Sequence, residues 1–211
     1  MNHHVLSASR HKNLIQTLVL LALLLERFLY PAVTEYIHLI VAYALSYIFF
    51  LTISPENRHL YNLTIPNKKA IFISSAIGLL WCATNVAYHV YCGAVLFQSF
   101  YLYLLLLFIV FPIQLVVQFF RFALIEEILF RGFLWGRLRK FKLPELSILF
   151  FTTILFWGAY YYHFDRPGIW IAILIGGLLY GIAAWKTKSL FLSAIVHGCW
   201  KSVFVFLNKY Y

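Results

Sequence analysis

The chain alternates long apolar runs with short polar breaks. A helix needs about 20 mostly apolar residues to cross a bilayer. Candidate spans of that kind lie at 14–33, 36–53, 70–91, 100–120, 146–163, 169–185 and 190–207. Residues 121–136 continue the fourth span as a more polar helix, and Pro112 marks a point where 92–111 could split off as a span of their own. The pattern predicts an all-α fold, a polytopic transmembrane helical bundle of about seven spans, with roughly six to eight as the range. Residues 1–13 read as a cytoplasmic N-terminal tail and 14–211 as a single transmembrane domain. No second domain and no internal repeat is visible. The longest break, 55–69, carries Pro55, Asn57, Asn62, Pro66 and Asn67, and Asp165-Arg166-Pro167-Gly168 is a turn between two runs.

Composition agrees with this pattern. Of 211 residues, 63% are hydrophobic and only 11% charged. Soluble chains carry about one quarter charged residues. This much apolar surface needs lipid as its outer solvent, so the lipid bilayer is the first expected partner.

The formal charge of +10 would fit nucleic acid if the basic residues formed a soluble face. They sit instead in clusters between apolar runs, so no nucleic acid is expected. With the N-terminus inside and seven spans, the cytoplasmic segments hold Arg10, Lys12, Arg58, Lys68, Lys69, Arg137, Arg139, Lys140, Lys142, Lys186 and Lys188. The outer segments hold only Arg27, Arg166 and Lys209. This is the positive-inside asymmetry. It predicts a multi-pass protein of the cell membrane with a cytoplasmic N-terminus. Leu14–Leu25 follows Arg10 and Lys12 but precedes Glu26, Arg27 and Pro31, so it reads as a retained helix and not a removed signal. Cys82, Cys92 and Cys199 form neither a disulfide framework nor a zinc ribbon pattern.

Ionisable residues inside spans point to function by default. Glu126, Glu127, Arg131 and Lys201 are the ones here, with His197, His163 and Tyr160 nearby. Glu127 and Arg131 are four residues apart and meet on one helical face. Glu126 points about 100° away and has no local partner. One carboxylate is tied and its neighbour is left free, which suits a general base acting on water. The bland reading is a structural ion pair beside one helix-end acid. His197 and Lys201 also share a face. At about 1.5 Å per residue they lie roughly 12 and 18 Å from the Lys186–Lys188 turn, and Glu126 lies roughly 16 Å from Arg137. The three groups are thus at matching depth. Phe156-Trp157-Gly158-Ala159-Tyr160-Tyr161-Tyr162-His163 reads either as an interfacial aromatic belt or as part of a site.

The Glu126-Glu127-x-x-x-Arg131 segment resembles the first motif of the CPBP intramembrane protease family, which includes CAAX prenyl endopeptidases and bacteriocin-immunity relatives. Gly176-Gly177-Leu178-Leu179-Tyr180-Gly181, Lys188-Ser189-Leu190 and His197 resemble that family's closing helix pair. The likeness covers residues 115–205. It implies a glutamate-type intramembrane endopeptidase acting on membrane-anchored or lipidated peptide substrates. Glu126 would activate water, Glu127 and Arg131 would shape the site, a second-motif histidine would share the water, and His197 would help stabilise the oxyanion. No cofactor is required by this reading; a divalent metal is left open, without a His-Glu-x-x-His motif to hold zinc.

Two positions depart from the family pattern. The second motif, Phe-x-x-x-His, has Tyr160 four residues after Phe156, and the nearest histidine is His163. His163 has the better proton chemistry and Tyr160 the better spacing; the preference goes to His163. The third motif has Asn four residues after His, where this chain has Lys201. A lysine can donate to an oxyanion, or it can pair with Glu126 and silence it. The rival to a protease is a non-catalytic immunity or scaffold protein on the same fold. A transporter is disfavoured by the lack of an inverted repeat.

Overall fold

Apolar segments in a medium without water must satisfy their own backbone groups, and helices do so within one segment. The computed structural model describes residues 3–29, 35–91 and 112–209, and these are helical nearly throughout. In chain order the helices are α1 (His3–Leu29), α2 (Glu35–Thr52), α3 (Lys68–Tyr91), α4 (residues 112–140), α5 (Glu145–Gly158), α6 (Pro167–Thr187) and α7 (Leu190–Lys209). A 3-10 turn, Pro55–Tyr61, follows α2, and a shorter one, Tyr161–His163, follows α5. Among the described residues there is no β-strand, only one antiparallel bridge between Leu63 and Ser189.

Among the described residues the helices match the apolar runs, with two differences. The segment read as a tail is already helical from His3. The split of 92–111 into its own span lies outside the described residues. The fifth helix ends at Gly158, not at His163. Only α6 among the described residues is long and apolar enough to cross a membrane by that measure alone. Shorter apolar helical stretches cover His11–Leu25, Leu39–Thr52, Glu145–Gly158 and Leu190–Phe204.

α7 is the central post, packed against α3, α4 and α6, while α5 pairs with α6 and α1 with α2. α4 is irregular for a reason that bears on function. Two π-helical segments, Phe119–Ala123 and Ile128–Leu134, flank the single α turn Leu124–Glu127. Such widened turns are rare and collect at functional sites. The second one includes the Arg131 carbonyl, which accepts a hydrogen bond from Asn62 Nδ2 at 2.8 Å. Asn62 is suited to this place because it tolerates the left-handed conformation found there, φ 55°.

The polar ends of several helices gather at one end of the bundle. Arg139 grips both oxygens of Glu145, at 2.8 and 3.1 Å, and donates to the Leu60 carbonyl at 2.8 Å. Lys188 reaches Glu145 at 3.3 Å. Arg137 donates to Thr17 Oγ1 at 2.9 Å. The basic clusters near residues 12, 58, 139 and 187 therefore share one face of the molecule.

α4 meets the 55–61 turn closely at Gly136. A Cβ there would lie 2.1 Å from the Tyr61 ring, which is fully buried and edge-on to Phe49. Gly136→Ala is expected to destabilise by about 1–3 kcal/mol through overpacking. A lowered thermal midpoint in detergent checks this; an unchanged midpoint shows that Tyr61 swings away freely.

Candidate active site

The turn Leu124–Glu127 projects its two carboxylates in different directions, as the helical pitch requires. Glu127 points into the packed interior between α6 and α7, and Glu126 points towards a cavity. Both are buried, with 0% and 2% of their surface exposed.

Glu127 is fully engaged. Its Oε1 accepts from Arg131 Nη1 at 3.2 Å and faces His197 Nδ1 at 3.1 Å. Its Oε2 is 2.6 Å from Ser193 Oγ, which also lies 2.8 Å from the Tyr180 carbonyl. Arg131 donates from Nη2 to the Gly177 carbonyl at 2.6 Å and lies 4.6 Å over the Phe156 ring. His197 is clamped between rings: Tyr180 stacks on it at 4.2 Å and Phe156 meets it edge-on at 5.7 Å. The Glu127 carboxylate fixes the His197 tautomer, because an ionised carboxylate only accepts. Nδ1 therefore carries the proton. Nε2 is buried without a hydrogen-bond partner, 3.5 Å from Glu126 Oε2.

Glu126 is not the free carboxylate that local spacing suggested. Arg27 of α1 pairs with its Oε1 at 3.0 Å. The Tyr160 hydroxyl lies 2.6 and 2.7 Å from its two oxygens, and its one proton goes to either. Lys201 Nζ is 3.5 Å from Oε1 and donates to the Tyr160 hydroxyl oxygen at 3.0 Å. Helical pitch rules only the neighbours within α4; the partners come from α1, α7 and the break after α5. Glu126, His197 and Lys201 do converge, as their depths along separate helices indicated.

Tyr160, and not His163, lies against Glu126. The preference for His163 assumed one continuous helix through both. The helix stops at Gly158, Ala159 caps it, and Tyr160 takes φ −103°, ψ 26° before the 3-10 turn. That break turns the Tyr160 phenol onto Glu126. His163 lies on the cavity wall, its ring stacked on Tyr160 at 6.1 Å.

The cavity has a volume of about 270 Å³. Glu126, Arg27, Lys201, Tyr160 and His163 line it together with apolar side chains that include Phe122, Ile169, Ile173 and Phe204. Among the described residues no group of three or more His, Cys, Asp or Glu is placed to hold a metal ion. The oxygens of Glu126 also face two cations, a poor setting for a third.

Arg27, Ser193 and Tyr180 are the site residues that the sequence did not assign. Arg27 had a signal, a charge within an apolar run, but it was counted as an outer-segment charge.

An all-helical bundle that buries two adjacent glutamates with three cations and a histidine is a protein with a built internal polar site. Residues 108–203 match the family model of the type II CAAX prenyl endopeptidases, Rce1-like, and this match supports the resemblance to the CPBP/CAAX protease family. That family consists of membrane-embedded CAAX-type proteases. No match was found among curated proteins, and none among solved structures. α1, with Arg27, lies outside the matched segment.

Proposed function

We propose that this protein is a multi-pass cell-membrane endopeptidase that hydrolyses membrane-anchored or lipidated peptides with water activated by Glu126. The observation that carries the reading is the facing pair of Glu126 Oε2 and the unpartnered His197 Nε2, 3.5 Å apart, with Glu126 on the cavity wall. Two acceptors at that spacing are poised to share a water. The Glu126 carboxylate takes one proton from it, His197 Nε2 orients the other, and the hydroxide attacks the peptide carbonyl. The Tyr160 hydroxyl, held by Lys201, donates to the oxyanion that forms. Glu126 then returns the proton to the leaving amine. Glu127 and Arg131 set the tautomer and position of His197 without touching substrate.

About seven spans with a cytoplasmic N-terminus complete the proposal. Large apolar side chains turned outwards support it, among them Leu14, Leu18, Leu21 and Leu25 on α1 and Phe150, Phe151 and Ile154 on α5. So does the gathering of basic clusters at one end. Lys140→Cys, in a chain whose native cysteines are replaced by alanine, is expected to resist a membrane-impermeant thiol reagent in intact cells. Ready labelling from outside overturns the orientation.

A second reading, a non-catalytic scaffold, is favoured by one observation: Arg27, Tyr160 and Lys201 all hold Glu126. The deciding experiment uses purified protein in lipid vesicles with an internally quenched, lipidated peptide. Cleavage supports the protease, and none at all supports the scaffold. Tyr160→Phe is expected to lower the cleavage rate by about 10²-fold, the scale of one lost oxyanion donor, and His163→Ala by less than about threefold. The reverse order returns the second-motif role to His163.

A further inference from the structure

The last turn of α4 carries two cations far from the glutamates. Arg137 and Lys140 are three residues apart and reach α1 together. Arg137 donates from Nη1 to Asn13 Oδ1 at 3.4 Å and to Gln16 Oε1 at 3.3 Å, and from Nη2 to Thr17 Oγ1 at 2.9 Å. Lys140 Nζ donates to the same Gln16 Oε1 at 3.3 Å, and the Tyr61 hydroxyl donates to it at 3.4 Å. Gln16 is buried, and its Nε2 is anchored on the Thr52 carbonyl at 3.2 Å. One neutral oxygen thus serves three donors, all held beyond the usual distance of about 2.9 Å. Arg139 and Lys188 at the same end pair with Glu145. Among the described residues no carboxylate lies within ion-pair distance of Arg137 or Lys140. A guanidinium and an ammonium carry more N–H groups than these neutral oxygens can accept.

We infer that Arg137 and Lys140, framed by Asn13 and Thr17 of α1, bind the phosphate of an anionic phospholipid headgroup. A phosphate presents several anionic oxygens at once. The Arg137 fork suits two of them, and Lys140 adds a compact charge beside it. Gln16 holds both side chains in place beforehand, so binding orders little that is not already ordered. The surroundings select a lipid. At this level the exposed surface of α1 turns from Lys12 and Asn13 to Leu14 and Leu18, which are 57% and 56% exposed. Acyl chains lie along those leucines while the phosphate meets the cations. A free phosphate ester brings the same group without that apolar contact. The bound lipid joins α1 to α4 at this end. α1 carries Arg27 near its other end, on Glu126, so the headgroup holds the helix that meets that carboxylate. The inference rests on the basic end lying at a membrane surface, and not on peptide cleavage.

The test is a melting series on the delipidated full-length chain in neutral detergent micelles. The probes are phosphatidylglycerol, phosphatidylcholine and glycerol phosphate. Phosphatidylglycerol is expected to raise the thermal midpoint in a saturable way. Phosphatidylcholine carries its own cation and glycerol phosphate has no chains. Each is expected to need at least about tenfold more to half-saturate, roughly 1.4 kcal/mol. Arg137→Gln and Lys140→Gln each raise the half-saturating phosphatidylglycerol concentration by about tenfold, the scale of a lost charge-assisted bond. Lys142→Gln and Lys186→Gln remove exposed cations of the same end and change it by less than about twofold. Gln16→Glu places a carboxylate between the two cations and is expected to remove the response. Melting without lipid separates lost binding from lost fold. Lys140 is exposed, so Lys140→Gln carries the test if Arg137→Gln or Gln16→Glu does not fold. Equal weakening by the four charge-removing variants overturns the site, because a diffuse basic surface responds alike to each charge. A response to glycerol phosphate equal to that for phosphatidylglycerol overturns the lipid as ligand. An equal response to phosphatidylcholine overturns the role of charge, and no saturable shift with any probe overturns the inference outright. None of these results touches the protease reading, since no cleavage is measured.

Discussion

Glu127→Ala is expected to remove most of the folded protein, not merely its activity. Glu127 satisfies Arg131, His197 and Ser193 at once, and Arg131 and His197 are completely buried. The truncation leaves a guanidinium in the interior beside the Gly177 carbonyl and the rings of Phe156, Phe130 and Tyr180, with no counter-charge from Glu127. Breaking one member of a buried pair costs about 3–5 kcal/mol. Whole domains are stable by about 5–15 kcal/mol, so the loss is roughly a fifth or more of a marginal total. Glu127→Gln keeps the shape and one acceptor and is expected to fall between the two. Glu127→Leu combined with Arg131→Met removes both charges together and is expected to be milder than Glu127→Ala alone, since the stranded charge is the main cost. Abundance in membranes and the thermal midpoint in detergent check the series. Normal levels of Glu127→Ala show that water reaches Arg131.

The same residue marks how far the sequence could be read. The Glu127–Arg131 pair is local, four residues apart on one helix, and periodicity alone finds it. The depths of Glu126, His197 and Lys201 follow from rise per residue along separate helices, so their meeting was legible as well. Arg27 was not. Its partner is 99 residues away in sequence, a distance over which no periodic pattern acts. Arg27 lies within the span read at 14–33 and on α1, which reaches Leu29, yet it was counted with the outer-segment charges. That Tyr160 and not His163 meets Glu126 was not legible, because the helix end at Gly158 and Ala159 leaves little trace in an aromatic run without proline. The π segments of α4 were equally silent: their residues, mostly Phe, Leu and Ile with Arg121, Arg131 and Gly132, carry no periodic mark of a widened turn.

Glu126→Gln is expected to abolish peptide cleavage while leaving the fold intact, and this contrast with Glu127→Ala is the sharpest test of the division of labour. A general base contributes about 10²–10⁴-fold, so a fall of at least about 10³-fold is expected at matched abundance. The amide cannot take a proton from water, yet it keeps the volume and an oxygen that accepts from Tyr160 or Arg27. Its cost to stability is limited by the cavity, because water entering there solvates the Arg27 and Lys201 charges that lose their counter-ion. Glu127 has no such access to water. Glu126→Asp retracts the carboxylate by one carbon–carbon bond, about 1.5 Å. It keeps the charge and is expected to retain a measurable part of the rate, because chemistry survives where geometry suffers. A Glu126→Gln chain that melts normally and cleaves the lipidated peptide like the unaltered protein removes Glu126 from the mechanism. A Glu126→Gln chain that fails to fold makes the carboxylate a structural counter-ion to Arg27, and the scaffold reading then gains the site.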